Sequence, residues 1–325
     1  MNTPASASRA HPAPTLCIMG PTASGKTQLA VDLVQRFPFS IISVDSAMVY
    51  RGMDIGTAKP DADLLRVAPH RLIDFLDPAE RYSAARFRTD CLAEMEQIDR
   101  SGRLPVLVGG TMLYFRALQR GLAPMPGADT AVRARLESEL KAHGLGSLHA
   151  RLAQVDPQAA QRIHPNDPQR IQRALEVYEI SGRPLTEHFN EGVSDVPPVP
   201  LLRLAIAPAD RSVLHRRIEQ RFGLMLEQGL VEEVERLYRR GDLGPHLPSI
   251  RAVGYRQVWQ YLAGELDYEQ MCAKAVVATR QYAKRQFTWL RSEPDLIWLD
   301  ADAPGLLDRA IAVLRENGLV DRGQE

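Results

Sequence analysis

Residues 15–37, TLCIMGPTASGKTQLAVDLVQRF, constrain the fold more than any other stretch of the chain. TLCIM is an apolar run of strand length, GPTASGKT is rich in small residues, and KTQLAVDLVQRF repeats its apolar residues at helical spacing. Between a strand and a helix, an octet of the form G-x-x-x-x-G-K-[ST] curls successive backbone N–H groups around a phosphate chain. The helix N-terminus adds its dipole. Gly20, Pro21, Thr22, Ala23, Ser24 and Gly25 would form the cradle, Lys26 would neutralise charge, and the Thr27 hydroxyl could ligate magnesium. The motif specifies a polyphosphate or a diphosphate and no particular one.

Lysine plus arginine and aspartate plus glutamate stand at 40 each in 325 residues, so any nucleic-acid function must come from local patches. No uninterrupted apolar run is long enough to cross a bilayer. The three cysteines, Cys17, Cys91 and Cys272, are far apart and in no metal-like spacing, which suits a reducing cytoplasm. The first thirteen residues are rich in Ala, Pro and Ser without a signal-peptide core, and read as a disordered tail.

IISV (41–44), LPVLVGG (104–110), LRLAIA (202–207) and LIWLD (296–300) read as further strands. Apolar strands alternating with helices predict an α/β fold, a mostly parallel sheet with helices on both faces. The core is expected over 14–120 and 201–325. Between 121 and 200 the sequence is helical, with Pro and Gly punctuation, and reads as an inserted domain. Asp167–Pro168 is a helix start there and Ser181–Gly182 a stop.

A nucleoside triphosphatase would close a buried strand with an acid to hold magnesium. PVLVGG ends instead in Gly-Gly-Thr, and the acid at a strand end is Asp45. Carboxyl ends of strands face ligands in an open α/β sheet. Asp45 could ligate a metal, accept a proton or cap the next turn, and the residues leave all three open.

GPTASGKT, ISVDSAMVYRGMDIGTAKP, LVGGTMLYFRAL, RIHPNDPQR, LPSIRAVGYRQ and ATRQYAKRQFTWLR occur in this order. Together they make the chain resemble the bacterial tRNA dimethylallyltransferases from about Leu16 to about Leu299. The resemblance implies a P-loop kinase-like core with a helical insertion. It also implies transfer of a dimethylallyl group from its diphosphate to the exocyclic amine of the adenosine 3′ of the anticodon. Thr22 to Thr27 would then grip the diphosphate with magnesium, and Asp45 would be the general base on the amine. Charge developing on the leaving diphosphate would be met by N–H groups, Lys26 and metal. The amine is a weak nucleophile, so a carboxylate accepting its proton should help. The base must first leave its stack. Asp45, Ser46, Ala47 and Met48 would line the RNA end of a channel, with Thr111 similarly placed.

Arg217 and Arg221 lie four apart on one edge of the stripe Leu214, Ile218, Phe222, Met225, Leu226. They are read either as paired with Glu219 and Glu233 or, by the resemblance, as aimed at the diphosphate, Arg221 first. RNA contacts are expected from Gln169, Arg170, Ile171, Gln172 and Arg173 at a helix start. They are also expected from Arg251, Ala252, Val253, Gly254, Tyr255 and Arg256, and from Ala283, Lys284, Arg285, Gln286, Phe287, Thr288, Trp289 and Leu290. Arg133 is a weaker candidate. The expected working unit is a monomer in the cytoplasm. Competing readings are a small-molecule kinase holding ATP in the same loop, a prenyltransferase acting on free adenylate, and a non-catalytic RNA-binding sensor of diphosphate.

Overall fold

The apolar runs align as one six-stranded sheet in the computed structural model of the protein, which describes residues 14–192 and 199–321. The strands are β1 (Thr15–Met19), β2 (Phe39–Val44), β3 (His70–Arg71), β4 (Leu104–Gly109), β5 (Leu201–Ala207) and β6 (Ile297–Asp300). Their order is β3-β2-β4-β1-β5-β6 and every pairing is parallel. The register matters for function. Met19 and Val44 both stand opposite Gly109, so β1, β4 and β2 end flush and release their following loops side by side.

The described residues divide into two compact units, 14–119 with 199–321, and 120–192. In the first unit the helices are α1 (Lys26–Arg36), α2 (Ala62–Val67), α3 (Ala84–Arg100) and α4 (Met112–Arg120). Leu16 and Ile18 of β1 join a core with Leu29 and Leu33 of α1. Cys17 and Met19 point the other way, into a core with Phe87 and Met95 of α3. Alternate residues of one strand are thus buried on both faces, which is why β1 reads as a continuous apolar run rather than as an alternating one. Each such Leu or Ile stabilises the fold by about 1.5–3 kcal/mol. Burial pushes the Cys17 and Cys91 thiols up, the latter to about 12, so both act as small apolar groups.

The second unit is all-helical where described: α5 (Thr130–Val155), α6 (Pro157–Arg162), α7 (Pro168–Ser181) and α8 (Leu185–Asn190). Leu136, Leu148, Leu152, Ile171 and Leu175 form its core. Gly144, at φ 77°, breaks α5 into two helical stretches. Asp167 caps α7 by accepting from Arg170 N, and Gly182 ends it at φ 70°. The first unit resumes at β5 and adds α9 (Arg211–Glu227), α10 (Leu230–Tyr238), α11 (Tyr255–Leu262), α12 (Tyr268–Ser292) and α13 (Leu306–Glu316). The expected disordered tail, residues 1–13, and residues 193–198 of the return segment lie outside the described residues. Among the described residues no helix is long and apolar enough to cross a membrane.

Candidate active site

Small residues let three backbones converge at the flush strand ends. A Cβ on Gly20 would lie 2.4 Å from the Ile206 carbonyl oxygen, one on Gly109 2.1 Å from that of Val44, and one on Gly110 2.3 Å from Gln286 Nε2. The loop after β1 then turns through Ala23 at φ 61° and Gly25 at φ 90° before α1 starts at Lys26. No side chain caps that helix, so its first N–H groups keep their positive end for an anion.

Gln286 of α12 holds the loop from behind. Its Oε1 accepts from Thr22 N at 2.9 Å, and its Nε2 donates to Gly110 O at 2.8 Å. Lys26 Nζ donates to Pro21 O at 3.1 Å. Burial lowers the Lys26 pKa to about 8, against the raising effect of the Asp45 charge. Among the described residues the buried Ser24 hydroxyl has no hydrogen-bond partner.

Asp45 follows β2 directly. Its Oδ1 accepts from Ala47 N at 2.8 Å and from Met48 N at 3.3 Å, so the carboxylate does cap the next turn. One oxygen is committed to the cap; Oδ2 makes no hydrogen bond among the described residues. Thr111, one residue past the double glycine, donates its N–H to Val44 O and accepts from Ser46 N at 3.1 Å. Tyr282 of α12 lines the same cavity as Asp45. Burial first, and then the Asp45 charge, push its phenol well above the ordinary range, so it stays neutral.

A cavity of about 350 Å³ opens over these groups. Thr22, Asp45, Ser46, Arg221, Tyr282 and Arg285 give it polar walls, and Ile218, Phe222, Met225, Pro248 and Val253 give it an apolar one. Burial lowers the Arg221 pKa and the Asp45 charge offsets part of that, so the guanidinium sits in the field of the carboxylate. A site with an anion cradle, a cation, a proton acceptor and a short apolar wall suits an anionic head bearing a small apolar tail.

The other candidates separate by what they touch. Arg217 pairs with Asp302 and does not line the cavity, which corrects its pairing with Arg221 as a second phosphate ligand. Glu219 pairs with Arg280, and Glu233 bonds backbone instead of an arginine. Ile171, Tyr255 and Leu290 are fully buried, so the expectation that their side chains contact RNA is corrected too, while Ala283 and Phe287 are nearly buried in the wall of a second cavity. Gln286 is equally buried and clamps the phosphate loop.

Arg133 and Arg173 both bond the buried carboxylate of Glu176, each at 2.7 Å, and thereby hold the helical unit together. Burial would raise the Glu176 pKa, but those hydrogen bonds hold it below the ordinary glutamate range. Gln169 and Arg170 are exposed on α7, and Gln172 is half-buried. Arg251, Ala252, Val253 and Gly254 line the cavity, while Arg256 is exposed. Lys284 and Thr288 face a second cavity of about 450 Å³ on a different face of α12. Trp289 takes the Arg116 guanidinium over its ring at 5.5 Å. Sequence reasoning missed Tyr282, although its four-residue spacing to Gln286 places both on one helical face.

Residues 48–293 match the family described as IPP transferase. The chain is 62% identical over 302 residues to the tRNA dimethylallyltransferase of Thioalkalivibrio sulfidiphilus, covering 93% of each chain. Among solved structures it resembles the full-length tRNA isopentenylpyrophosphate transferase of Bacillus halodurans at a TM-score of 0.67 and 36% identity, over 94% of this chain and 98% of that one. It also resembles a eukaryotic dimethylallyltransferase acting on tRNA at a TM-score of 0.77 and 29% identity, over 96% of this chain and 81% of that one.

Proposed function

The chain belongs to the IPP transferase family, among the tRNA dimethylallyltransferases, and from that premise we propose that it moves a dimethylallyl group from dimethylallyl diphosphate to the exocyclic amine of the adenosine 3′ of the anticodon. The observation that carries this reading is the register. Because β1, β4 and β2 end flush, the phosphate loop, Thr111 and Asp45 open beside one another.

The diphosphate would lie against the loop amides and the first turn of α1, with Lys26 and Arg221 meeting its charge. The five-carbon tail would rest on Ile218, Phe222 and Met225. The adenine enters unstacked and brings its amine to the carbon that bears the diphosphate. The nitrogen forms a bond to that carbon as the carbon–oxygen bond breaks, and the diphosphate leaves with the electron pair. The proton released by the amine passes to Asp45 Oδ2. Oδ1, tied to Ala47 and Met48, fixes the direction from which Oδ2 accepts it.

Magnesium fits this donor set, because it binds through few protein oxygens together with substrate phosphates. Thr27 would hold it, with the ion supplying positive charge to the leaving group. Among the described residues no cluster of three or more His, Cys, Asp or Glu could form a separate metal cage. We assign the reaction to the cytoplasm and to a monomer.

The test is incubation with labelled dimethylallyl diphosphate, magnesium and an unmodified anticodon stem-loop, followed by mapping of the label by mass spectrometry. Label on the loop adenosine is the expected result. A stem-loop that stays unlabelled, or label recovered only on added free adenylate, would overturn the reading.

A further inference from the structure

Glu233 lies on α10 and does not line the active-site cavity, yet it is one of the most completely buried charged side chains of the protein, at 2% exposure. Its carboxylate takes four donors. Oε2 accepts from Asp54 N and Ile55 N, each at 2.9 Å; Oε1 accepts from Gly56 N at 3.2 Å and from the Tyr255 hydroxyl. Asp54–Gly56 belong to no helix or strand, so their amides have no sheet or helix partner, and a buried orphan amide is costly.

Both groups that Glu233 holds lead straight into the cavity wall. Gly56 and Thr57 line it on one side, and Arg251–Gly254, which end at Tyr255, line it on another. The two sides also touch directly. A Cβ on Gly56 would lie 2.5 Å from the Tyr255 ring, so the loop rests on that phenol without a spacer. Lys59 fixes the far end of the same loop, donating to Tyr50 O at 2.8 Å and to Asp74 at 2.7 Å.

We propose that Glu233 is a positioning residue for the transfer reaction: one carboxylate sets the distance between the Gly56–Thr57 wall and the Arg251–Gly254 wall, and so shapes the opening through which the acceptor base enters. The inference rests on the transferase reading given above. An ionised carboxylate is acceptor-only and has lone pairs for all four donors. A glutamine in its place offers one acceptor oxygen and turns an NH2 toward groups that are themselves donors. Among the described residues the hydrogen bonds of Glu233 go to Asp54–Gly56 and Tyr255 and not to the phosphate loop, so diphosphate binding should be indifferent to the change.

The experiment compares wild type, Glu233→Gln and the milder Tyr255→Phe. Three quantities are followed: amide hydrogen exchange at residues 54–56, the affinity for inorganic diphosphate, and KM and kcat for the anticodon stem-loop. Glu233→Gln is expected to speed exchange at 54–56 and to raise the stem-loop KM about tenfold, the equivalent of one or two lost hydrogen bonds. Diphosphate affinity should hold within about twofold. Tyr255→Phe should shift the same quantities in the same direction by less, and the double variant should add little, because the two act through one carboxylate.

Unchanged exchange at 54–56 would overturn the proposal. So would diphosphate affinity and stem-loop KM worsening in parallel with a fall in Tm, which is the mark of a merely structural role. Should Glu233→Gln fail to fold, Tyr255→Phe carries both outcomes. Failure of the transferase reading itself has a different signature, a wild-type protein that leaves the stem-loop unlabelled.

Discussion

Gln286 ties the phosphate loop to the end of β4, accepting from Thr22 N and donating to Gly110 O through the two ends of one amide. An ionised carboxylate of the same length cannot do both. In Gln286→Glu the bond from Thr22 survives, but a carboxylate oxygen is set against the Gly110 carbonyl and adds negative charge behind the diphosphate. An unsatisfied buried acceptor costs about 1–3 kcal/mol, so KM for the prenyl diphosphate should rise on the order of ten- to a hundredfold. Steady-state kinetics would show it, and an unchanged KM would remove Gln286 from the diphosphate site.

Asp45 carries two roles that one substitution separates. Asparagine keeps an oxygen for Ala47 N and Met48 N and removes the proton acceptor. Asp45→Asn should therefore keep its Tm and its RNA affinity while kcat falls by about 10²- to 10⁴-fold, the usual contribution of a general base. Single-turnover transfer together with a binding titration tests this. Retained turnover would leave Asp45 as a cap alone.

Lys26 predicts how diphosphate binding responds to pH. With its pKa lowered to about 8, the ammonium is charged below that pH and neutral above it. Affinity for the prenyl diphosphate should be level between about pH 7 and 8 and then weaken by as much as tenfold per unit, while the ligand's phosphates, with pKa values near 6, stay ionised over that window. Stability runs the opposite way. Between about 8 and the ordinary lysine value of 10.5 the unfolded chain binds more protons than the folded one, so rising pH stabilises the fold over that window. Calorimetric titration against pH, with Lys26→Met as the flat reference, separates the two trends.

Two glycines should respond oppositely to alanine. At Gly109 the new methyl meets the Val44 carbonyl, backbone against backbone, at 2.1 Å with no side chain to yield. Gly109→Ala should cost about 3 kcal/mol or more, and it should depress activity as well because Asp45 follows Val44. Gly223 lies inside α9 with nothing within 4 Å of its added Cβ, so Gly223→Ala should gain about 0.5–1 kcal/mol from helix propensity. Urea denaturation measures both.

The sequence made the framework legible wherever local chemistry decides it. β1, β2, β4 and β5 are apolar because both faces of the sheet are covered there; Asp167 and Pro168 mark the start of α7 by their side chains, and Gly182 marks its end by a left-handed backbone. β3 escaped notice because it is two polar residues, His70 and Arg71, at the edge of the sheet. The site was legible to the extent that it is local: the phosphate loop and the acid that closes β2.

Whatever long-range pairing settles was not legible. Arg217 and Arg221 are equivalent on a helical wheel, and what separates them is Asp302, 85 residues away. Glu233 reads as an ordinary helix charge beside nearby arginines, and only the fold brings it to the amides of Asp54–Gly56. RAVGYR mixes charge with an aromatic as an RNA surface would, but Tyr255 is held inside by Glu233.

The order of strands has a consequence for how the molecule comes into being. β1 is flanked by β4 and β5, and residues 120–198 are made between those two neighbours. While the ribosome is still making that insertion, β1 has one free edge, and α9 and α12, which carry Arg221 and Gln286, do not yet exist. The phosphate loop precedes in the chain both of the helices that complete it, and so is assembled long after it is made. Its completion depends on contacts of large sequence separation, which form slowly. A chain that stops anywhere before α12 would carry a phosphate loop without the amide that joins Thr22 N to Gly110 O.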